Sequence, residues 1–189
     1  MCFTIYELAL NSDIQDRLRE EIITGIEEND GQLTYELLSE FKYLDMVINE
    51  SLRKFPPAFF LTRVCRKDFQ IPGTNMIIPK NTDINVNIYS IHRDPEYYPE
   101  PEVFDPERFT PENIKLRPPA TFIPFGLGPR KCIVSGRFGI MQSKMGIAKL
   151  IQNFEFTPCE KTTVPIDFAP SGIFLEPKNK MWLNVKKYE

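Results

Sequence analysis

Between Ile14 and Ile26, apolar residues recur at every fourth position, at Ile14, Leu18, Ile22 and Ile26, with Asp16, Arg17, Arg19 and Glu20 among the polar residues between them. This spacing lays the four on one stripe of an amphipathic helix. Ser12 and Gln15 have the spacing of a capping box, and Asn29-Asp30-Gly31 predicts the end. The preceding stretch, MCFTIYELAL, is already apolar with helical spacing and has no cap ahead of it, so the chain reads as the end of something longer. A second helix is predicted from about Lys42, with Leu44, Val47, Ile48 and Leu52 on one face, and Pro56-Pro57 stops it by Phe55. On this helix Glu50 and Arg53 fall away from the apolar face. Periodicity alone leaves them as a solvated pair worth a few tenths of a kcal/mol.

From Phe60 to Tyr89 the pattern shortens to strands and turns. LTRVCR comes first, then FQIPGTNMIIP around Pro72-Gly73, then Ile84, Val86 and Ile88 alternating with Asn85 and Asn87, which predicts one small sheet. Eight prolines between Pro95 and Pro124 forbid a regular element. Tyr97, Tyr98, Phe104, Phe109 and Phe122 are interspersed among them, which predicts an ordered, irregular meander pinned by packing. After Cys132, Phe138, Met141, Met145, Ala148 and Ile151 mark a helix reaching about Asn153, its methionines read as core. FEFTPCE, GIFLEP and MWLNVKKY close the chain as short strands. The fold class is therefore mainly α with a minor β portion.

Composition narrows the chemistry mostly by exclusion. The 189 residues suit one domain, and a net charge of −3 supplies no basic excess for nucleic acid. The four cysteines, Cys2, Cys65, Cys132 and Cys159, form no Cys-x-x-Cys and have one histidine, His92, to help them, which argues against a structural zinc site. They form no disulfide-dense pattern either, which fits a reduced compartment. No run approaches the roughly 20 apolar residues of a membrane-spanning helix.

The segment with most chemistry in it is residues 122–139, FIPFGLGPRKCIVSGRFG. Cys132 follows a rigid Gly-x-Gly-Pro turn, stands beside Arg130 and Lys131, and precedes a predicted helix. A helix N-terminus and adjacent cations favour a thiolate, lowering its pKa below the roughly 8.5 of an ordinary thiol. Such a sulfur can attack a substrate or hold a metal; the alternative is a small buried hydrophobe. A cysteine phosphatase is excluded by spacing, because Cys132 and Arg137 enclose four residues where five are needed to cradle a phosphate. GLGPRK also lacks the complete phosphate loop of a nucleotide-binding site.

Three separated motifs occur in one order: Glu50-Ser51-Leu52-Arg53, then Asp105-Pro106-Glu107-Arg108-Phe109, then Phe125-Gly126-x-Gly128-Pro129-Arg130-x-Cys132. Together they closely resemble the C-terminal part of the cytochrome P450 family over essentially the whole chain. YSIHRDPEYYPEPEVFDPERF is similar to the insect and other animal microsomal members. The resemblance implies that residues 1–189 are the C-terminal section of a single P450 domain, with a haem-binding loop at 122–139. It implies haem as cofactor and Cys132 as the thiolate ligand of its iron, pushing electron density to favour O–O cleavage. It implies that Phe125 shields the sulfur, that Gly126 and Gly128 let backbone approach the porphyrin, and that Arg63 and Arg130 pair with its propionates. Glu50, Arg53 and Arg108 match a buried ion network that locks the meander.

The same resemblance implies a monooxygenase that inserts one atom of O2 into a lipophilic substrate, fed by NADPH-cytochrome P450 reductase at the endoplasmic reticulum membrane. Ala58, Phe59, Phe60 and Leu61, with Gly172, Ile173 and Phe174, match segments lining the substrate pocket, or are ordinary core. Arg130, Lys131, Arg137 and Lys144 form a candidate basic patch for the electron donor. His92 matches the stretch leading into the meander and is not an iron ligand.

Two departures stand out. The acid–alcohol pair that delivers protons would lie before residue 1, so no catalytic residue is expected within the chain, which reads as a partial gene model, a splice product or a degenerate copy. The non-catalytic alternative is a remnant acting as a haem-binding or interaction module. Cys132-Ile133-Val134-Ser135-Gly136-Arg137-Phe138 is one residue longer than the family pattern, and one inserted residue turns a following helix by about 100°.

Overall fold

The computed structural model describes residues 1–132, 135–169 and 174–188. Four helices make the core: α1 (Cys2–Leu10), α2 (Ser12–Glu28), α4 (Lys42–Lys54) and α7 (Ile140–Asn153). Ile5 and Leu8 of α1, Leu18 and Ile22 of α2, Leu44 and Val47 of α4, and Ile147 and Ile151 of α7 meet in one buried cluster. The stripe predicted for α2 is this packed face; Leu18 and Ile22 are fully buried. Asp30 and Gly31 adopt positive φ just beyond α2, and the Gly31 N–H donates back to the Ile26 carbonyl, the expected C-terminal stop.

The capping box does not form. Ser12 is already helical, Asn11 precedes it, and no side chain caps the end. Gln15 is instead buried: its amide donates to the carbonyls of Leu8 and Phe156, and its oxygen accepts from the Phe156 N–H. A short helix that periodicity missed, α3 (Tyr35–Glu40), is capped by the Thr34 hydroxyl accepting from the Leu37 N–H at 3.2 Å.

Among the described residues the strands form three two-stranded antiparallel ladders, not one sheet. β1 (Phe60–Val64) pairs with β4 (Asp83–Asn87), β2 (Phe69–Gln70) with β3 (Ile77–Ile78), and β5 (Phe154–Pro158) with β6 (Leu183–Lys187). Ile88, predicted as strand, opens the one-turn helix α5 (Ile88–Ile91), because the Asn87 carboxamide accepts from the Ser90 N–H and turns the backbone. Of GIFLEP, Phe174 forms an isolated bridge with Ala58 and Pro177 another with Phe168; Gly172 and Ile173 lie outside the described residues.

The meander is ordered, with Tyr98, Phe104 and Phe109 buried. It is also less irregular than its prolines suggest. A 3-10 turn spans Pro106–Phe109 and a short helix, α6, spans Pro111–Lys115, each with proline in its first turn, where no intrahelical N–H is needed.

Beyond Cys132, a π-helical turn spans Ser135–Gly139 and runs into α7. A wide i→i+5 turn accommodates one residue more than an α-turn. The extra residue therefore does not require the 100° rotation, and Ile147, Ala148 and Ile151 of α7 remain fully buried. Ile133 and Val134 lie outside the described residues.

Candidate active site: the cysteine loop and its support

The foundation of the site is an ion pair on the far side of α4 from the helical core. Glu50 and Arg53 both have fully buried side chains, although helical periodicity puts them on a polar face. The meander supplies what periodicity cannot show, because it covers that face with its own backbone. Arg53 Nε donates to Glu50 Oε2 at 2.7 Å and Nη2 to Oε1 at 2.8 Å, a bidentate fork. Two further guanidinium hydrogens go to carbonyls, from Nη1 to His92 at 2.9 Å and from Nη2 to Pro101 at 2.8 Å. Glu50 Oε1 also accepts from the Asp105 N–H at 2.9 Å.

Burial pushes the Glu50 carboxyl up from its usual range, against the pull of the Arg53 guanidinium. Every hydrogen-bonding neighbour of that carboxylate is a donor, so the ionised form is the one the geometry holds. Arg108 is the third member: its Nε lies 3.6 Å from Glu50 Oε1, and its Nη2 donates to the Glu100 carbonyl at 3.1 Å.

The cysteine loop is built from backbone hydrogen bonds. The Gly126 N–H donates to the Ile123 carbonyl at 3.0 Å, Lys131 to Gly128 at 3.2 Å, and Cys132 to Phe125 at 2.9 Å. Gly126 (φ 82) and Gly128 (φ 79) take the left-handed conformations that fold these bonds closed. At Gly126 a Cβ would meet Leu61 Cδ1 at 3.1 Å and Arg63 Nη2 at 3.6 Å, whereas at Gly128 nothing lies within 4 Å. One glycine is needed for packing against β1; the other leaves an open face. Arg63, from β1, reaches the same loop and donates from Nη2 to the Arg130 carbonyl at 3.4 Å.

Cys132 is exposed. Beside its loop lies a half-open cleft of about 500 Å³, lined by Phe3 and Thr4 of α1, Leu52 of α4 and Phe55 just beyond it, and Phe125 and Phe138. Phe125 and Phe138 flank Cys132 in sequence, and both line the cleft. Phe138, which opens the apolar stripe marking this helix, is 68% exposed and lines this cleft. Pro56, Pro57 and Leu175 line the cleft, whereas Ala58, Phe59, Phe60, Leu61 and Phe174 do not. Ala58 and Phe174 nevertheless meet in a bridge, which brings the two predicted substrate segments together. Ile173 lies outside the described residues. Sequence reasoning missed Thr4, Gln142 and Ser143 as lining residues; the apolar face of α7 drew attention away from its small and polar one.

Lys144 does not belong to a basic patch. It is 4% exposed, and its Nζ donates to the Leu38 carbonyl at 2.9 Å and pairs with Asp45 at 2.7 Å, because its position on α7 points it into the seam with α3 and α4. Arg130, Lys131 and Arg137 are exposed. Among the described residues no helix is long and apolar enough to cross a membrane, and no cluster of three His, Cys, Asp or Glu could hold a metal ion.

The model of the family described as Cytochrome P450 matches residues 1–184. "Probable cytochrome P450 6a13" of Drosophila melanogaster is 43% identical over 189 residues, covering 100% of this chain and 38% of that protein. "Cytochrome P450 9e2" of Blattella germanica is 43% identical over 188 residues, covering 99% of the chain and 35% of that protein. "Cytochrome P450 6A1" of Musca domestica is 43% identical over 190 residues, covering 98% and 37%. The chain thus spans less than two fifths of the length of these relatives. With the family model matched along nearly its whole length and insect relatives at this identity, the chain belongs to the cytochrome P450 family.

Proposed function

We propose that this chain is the thiolate-bearing section of a haem monooxygenase, with Cys132 as the residue that would hold the iron. The observation carrying this is the exposed cysteine on a glycine-turned loop whose Phe125 lines an apolar cleft of about 500 Å³. The residues present suit a flat macrocycle with two carboxylates. The open face at Gly128 leaves backbone accessible, Phe125 and Phe138 offer apolar surface, and Arg63, which reaches the backbone of Arg130 in the loop, would with Arg130 supply guanidinium partners for propionates.

Haem bound through a thiolate supplies the activation of O2 for insertion of one oxygen atom into a substrate. The chain's own part is to hold the sulfur still. The Cys132 N–H is tied to the Phe125 carbonyl, and the loop is anchored through Arg63 to β1. Phe125 and Phe138 give the cysteine's side of the cleft its apolar lining. Glu50, Arg53 and Arg108 hold the meander in place, a structural task.

The substrate class is lipophilic, in keeping with the apolar cleft, and Ala58, Phe59, Phe60, Leu61 and Phe174 are its candidate outer contacts. The electron donor is NADPH-cytochrome P450 reductase at the endoplasmic reticulum membrane, met by the exposed Arg130, Lys131 and Arg137. The chain's span of 38% of a relative's length supports a second reading, a haem-holding module that activates no oxygen by itself.

The test is spectroscopic. The chain loaded with haem and reduced under carbon monoxide should show the red-shifted Soret band of thiolate ligation, and Cys132→Ser should abolish it. No band with Cys132 intact, or an unchanged band in Cys132→Ser, overturns the ligand assignment. Turnover of a lipophilic substrate with reductase and O2 then separates the two readings.

A further inference from the structure

The imidazole of His92 is fully buried between the two halves of the site. The N–H of Ile123 donates to its Nε2 at 3.0 Å. A backbone N–H can only donate, so Nε2 must be an unprotonated acceptor. On the other side Nδ1 lies 3.2 Å from the Arg53 carbonyl, which can only accept, so Nδ1 must carry the proton. Two independent contacts therefore demand the same neutral tautomer. The link is reinforced from the backbone, because the His92 carbonyl accepts from Arg53 Nη1 at 2.9 Å. Phe122 holds the ring plane, its centroid 5.4 Å away and its plane tilted by 27°.

Ile123 is in turn the first residue of the cysteine loop's bonding. Its carbonyl accepts from Gly126, whose turn leads to the Phe125 carbonyl that receives the Cys132 N–H. A continuous chain of hydrogen bonds and short backbone steps runs from Glu50 through Arg53 and His92 to Ile123 and the cysteine. Residues 53 and 123 are remote in sequence, and a single ring bridges the backbone of one to the backbone of the other.

We propose that His92 is a positioning residue for the cysteine: its imidazole, fixed in the Nδ1–H tautomer, sets the placement of the Cys132 loop relative to the buried ion pair on α4. This rests on the reading of Cys132 as the ligand residue. His92 acts on the loop through Ile123, whose N–H its Nε2 receives. Its predicted effect is therefore local to the loop.

The test uses the chain at neutral pH. Ring ¹⁵N spectra should show a protonated Nδ1 and an unprotonated Nε2. Amide exchange should accelerate at least tenfold at Ile123, Gly126 and Cys132 in His92→Leu, with the core amides of α2 and α7 unchanged. His92→Gln, whose side-chain oxygen can accept from the Ile123 N–H, should return those three amides to within about threefold of their original rates.

The opposite tautomer, uniform acceleration across the molecule, or no change at the three amides would overturn the proposal. Should His92→Leu fail to fold, the ring spectra and the His92→Gln exchange decide it. With haem bound, His92→Leu should broaden or shift the carbon monoxide Soret band that His92→Gln retains. Absence of that band in the unaltered chain would sink the ligand reading while leaving the exchange result to judge His92.

Discussion

Replacing Glu50 by glutamine removes one charge and almost no volume, so it isolates what the buried ion pair contributes. Both carboxylate oxygens are engaged by donors: Oε2 by Arg53 Nε, and Oε1 by Arg53 Nη2 and the Asp105 N–H. A carboxamide has one oxygen and one NH2, so either orientation points an N–H at a donor. The Arg53 guanidinium, fully buried, is left without a counter-charge. Arg108, whose side chain is 10% exposed, cannot help because it is a cation too. Breaking a buried pair from one side costs about 3–5 kcal/mol. Against a total stability on the order of 5–15 kcal/mol this is a large fraction.

In urea unfolding followed by circular dichroism, with a slope of about 2 kcal/mol per molar, the midpoint should fall by roughly 2 M. The matching control is Glu107→Gln. Arg17 and Glu107 are 2.6 Å apart, but their side chains are 57% and 47% exposed, and solvent screens them. That change should cost less than about 1 kcal/mol. The reasoning is refuted if Glu50→Gln costs under about 1 kcal/mol, or no more than the control, because burial would then not decide the worth of the pair.

Gly126→Ala should cost about 1–2 kcal/mol from its left-handed backbone alone, and its new Cβ would press on Leu61. Gly31, with φ 75 and nothing within 4 Å, provides the strain without the contact, so equal losses for Gly31→Ala and Gly126→Ala would refute the packing role. The pH dependence of folding should carry the mark of His92, whose pKa burial lowers from 6.5 to about 4. Between those values the unfolded chain binds a proton that the folded chain refuses. Stability contributed above pH 6.5 is thus lost as pH falls toward 4, by about 3 kcal/mol at most. The Arg53 and Arg93 guanidinium groups nearby push the His92 pKa the same way, Tyr98 has its hydroxyl raised by burial, and Glu7 and Glu50, also raised by burial, contribute the opposite slope. The comparison of the unaltered chain with His92→Gln across pH 4–7 cancels those carboxyls; identical slopes would contradict the assignment.

The helical frame was legible because a four-residue apolar repeat, as in Ile14, Leu18, Ile22 and Ile26, needs no knowledge of distant chain. Gln15 was misread for the converse reason. Its spacing from Ser12 suggested a local cap, while its partner is Phe156, 141 positions away. Glu50 and Arg53 show the limit from the other side: their helix gives them a polar face, and their burial comes from the meander. Motif resemblance named them where periodicity could not. Lys144 shared a charge with Arg130, Lys131 and Arg137 but not a surface, and composition could not separate them. The tautomer of His92 was out of reach altogether, since it depends on one carbonyl and one N–H from opposite ends of the site.

The π-helical turn at Ser135–Gly139 separates two demands on one stretch of chain. The loop before it must fit whatever lies in the cleft, whereas α7 beyond it must keep Ile147, Ala148 and Ile151 in the core. A turn that can gain or shed a residue lets the loop change length without disturbing the helix. Variation in the cysteine loop and constancy in the core can then be selected independently, although they are joined by five residues.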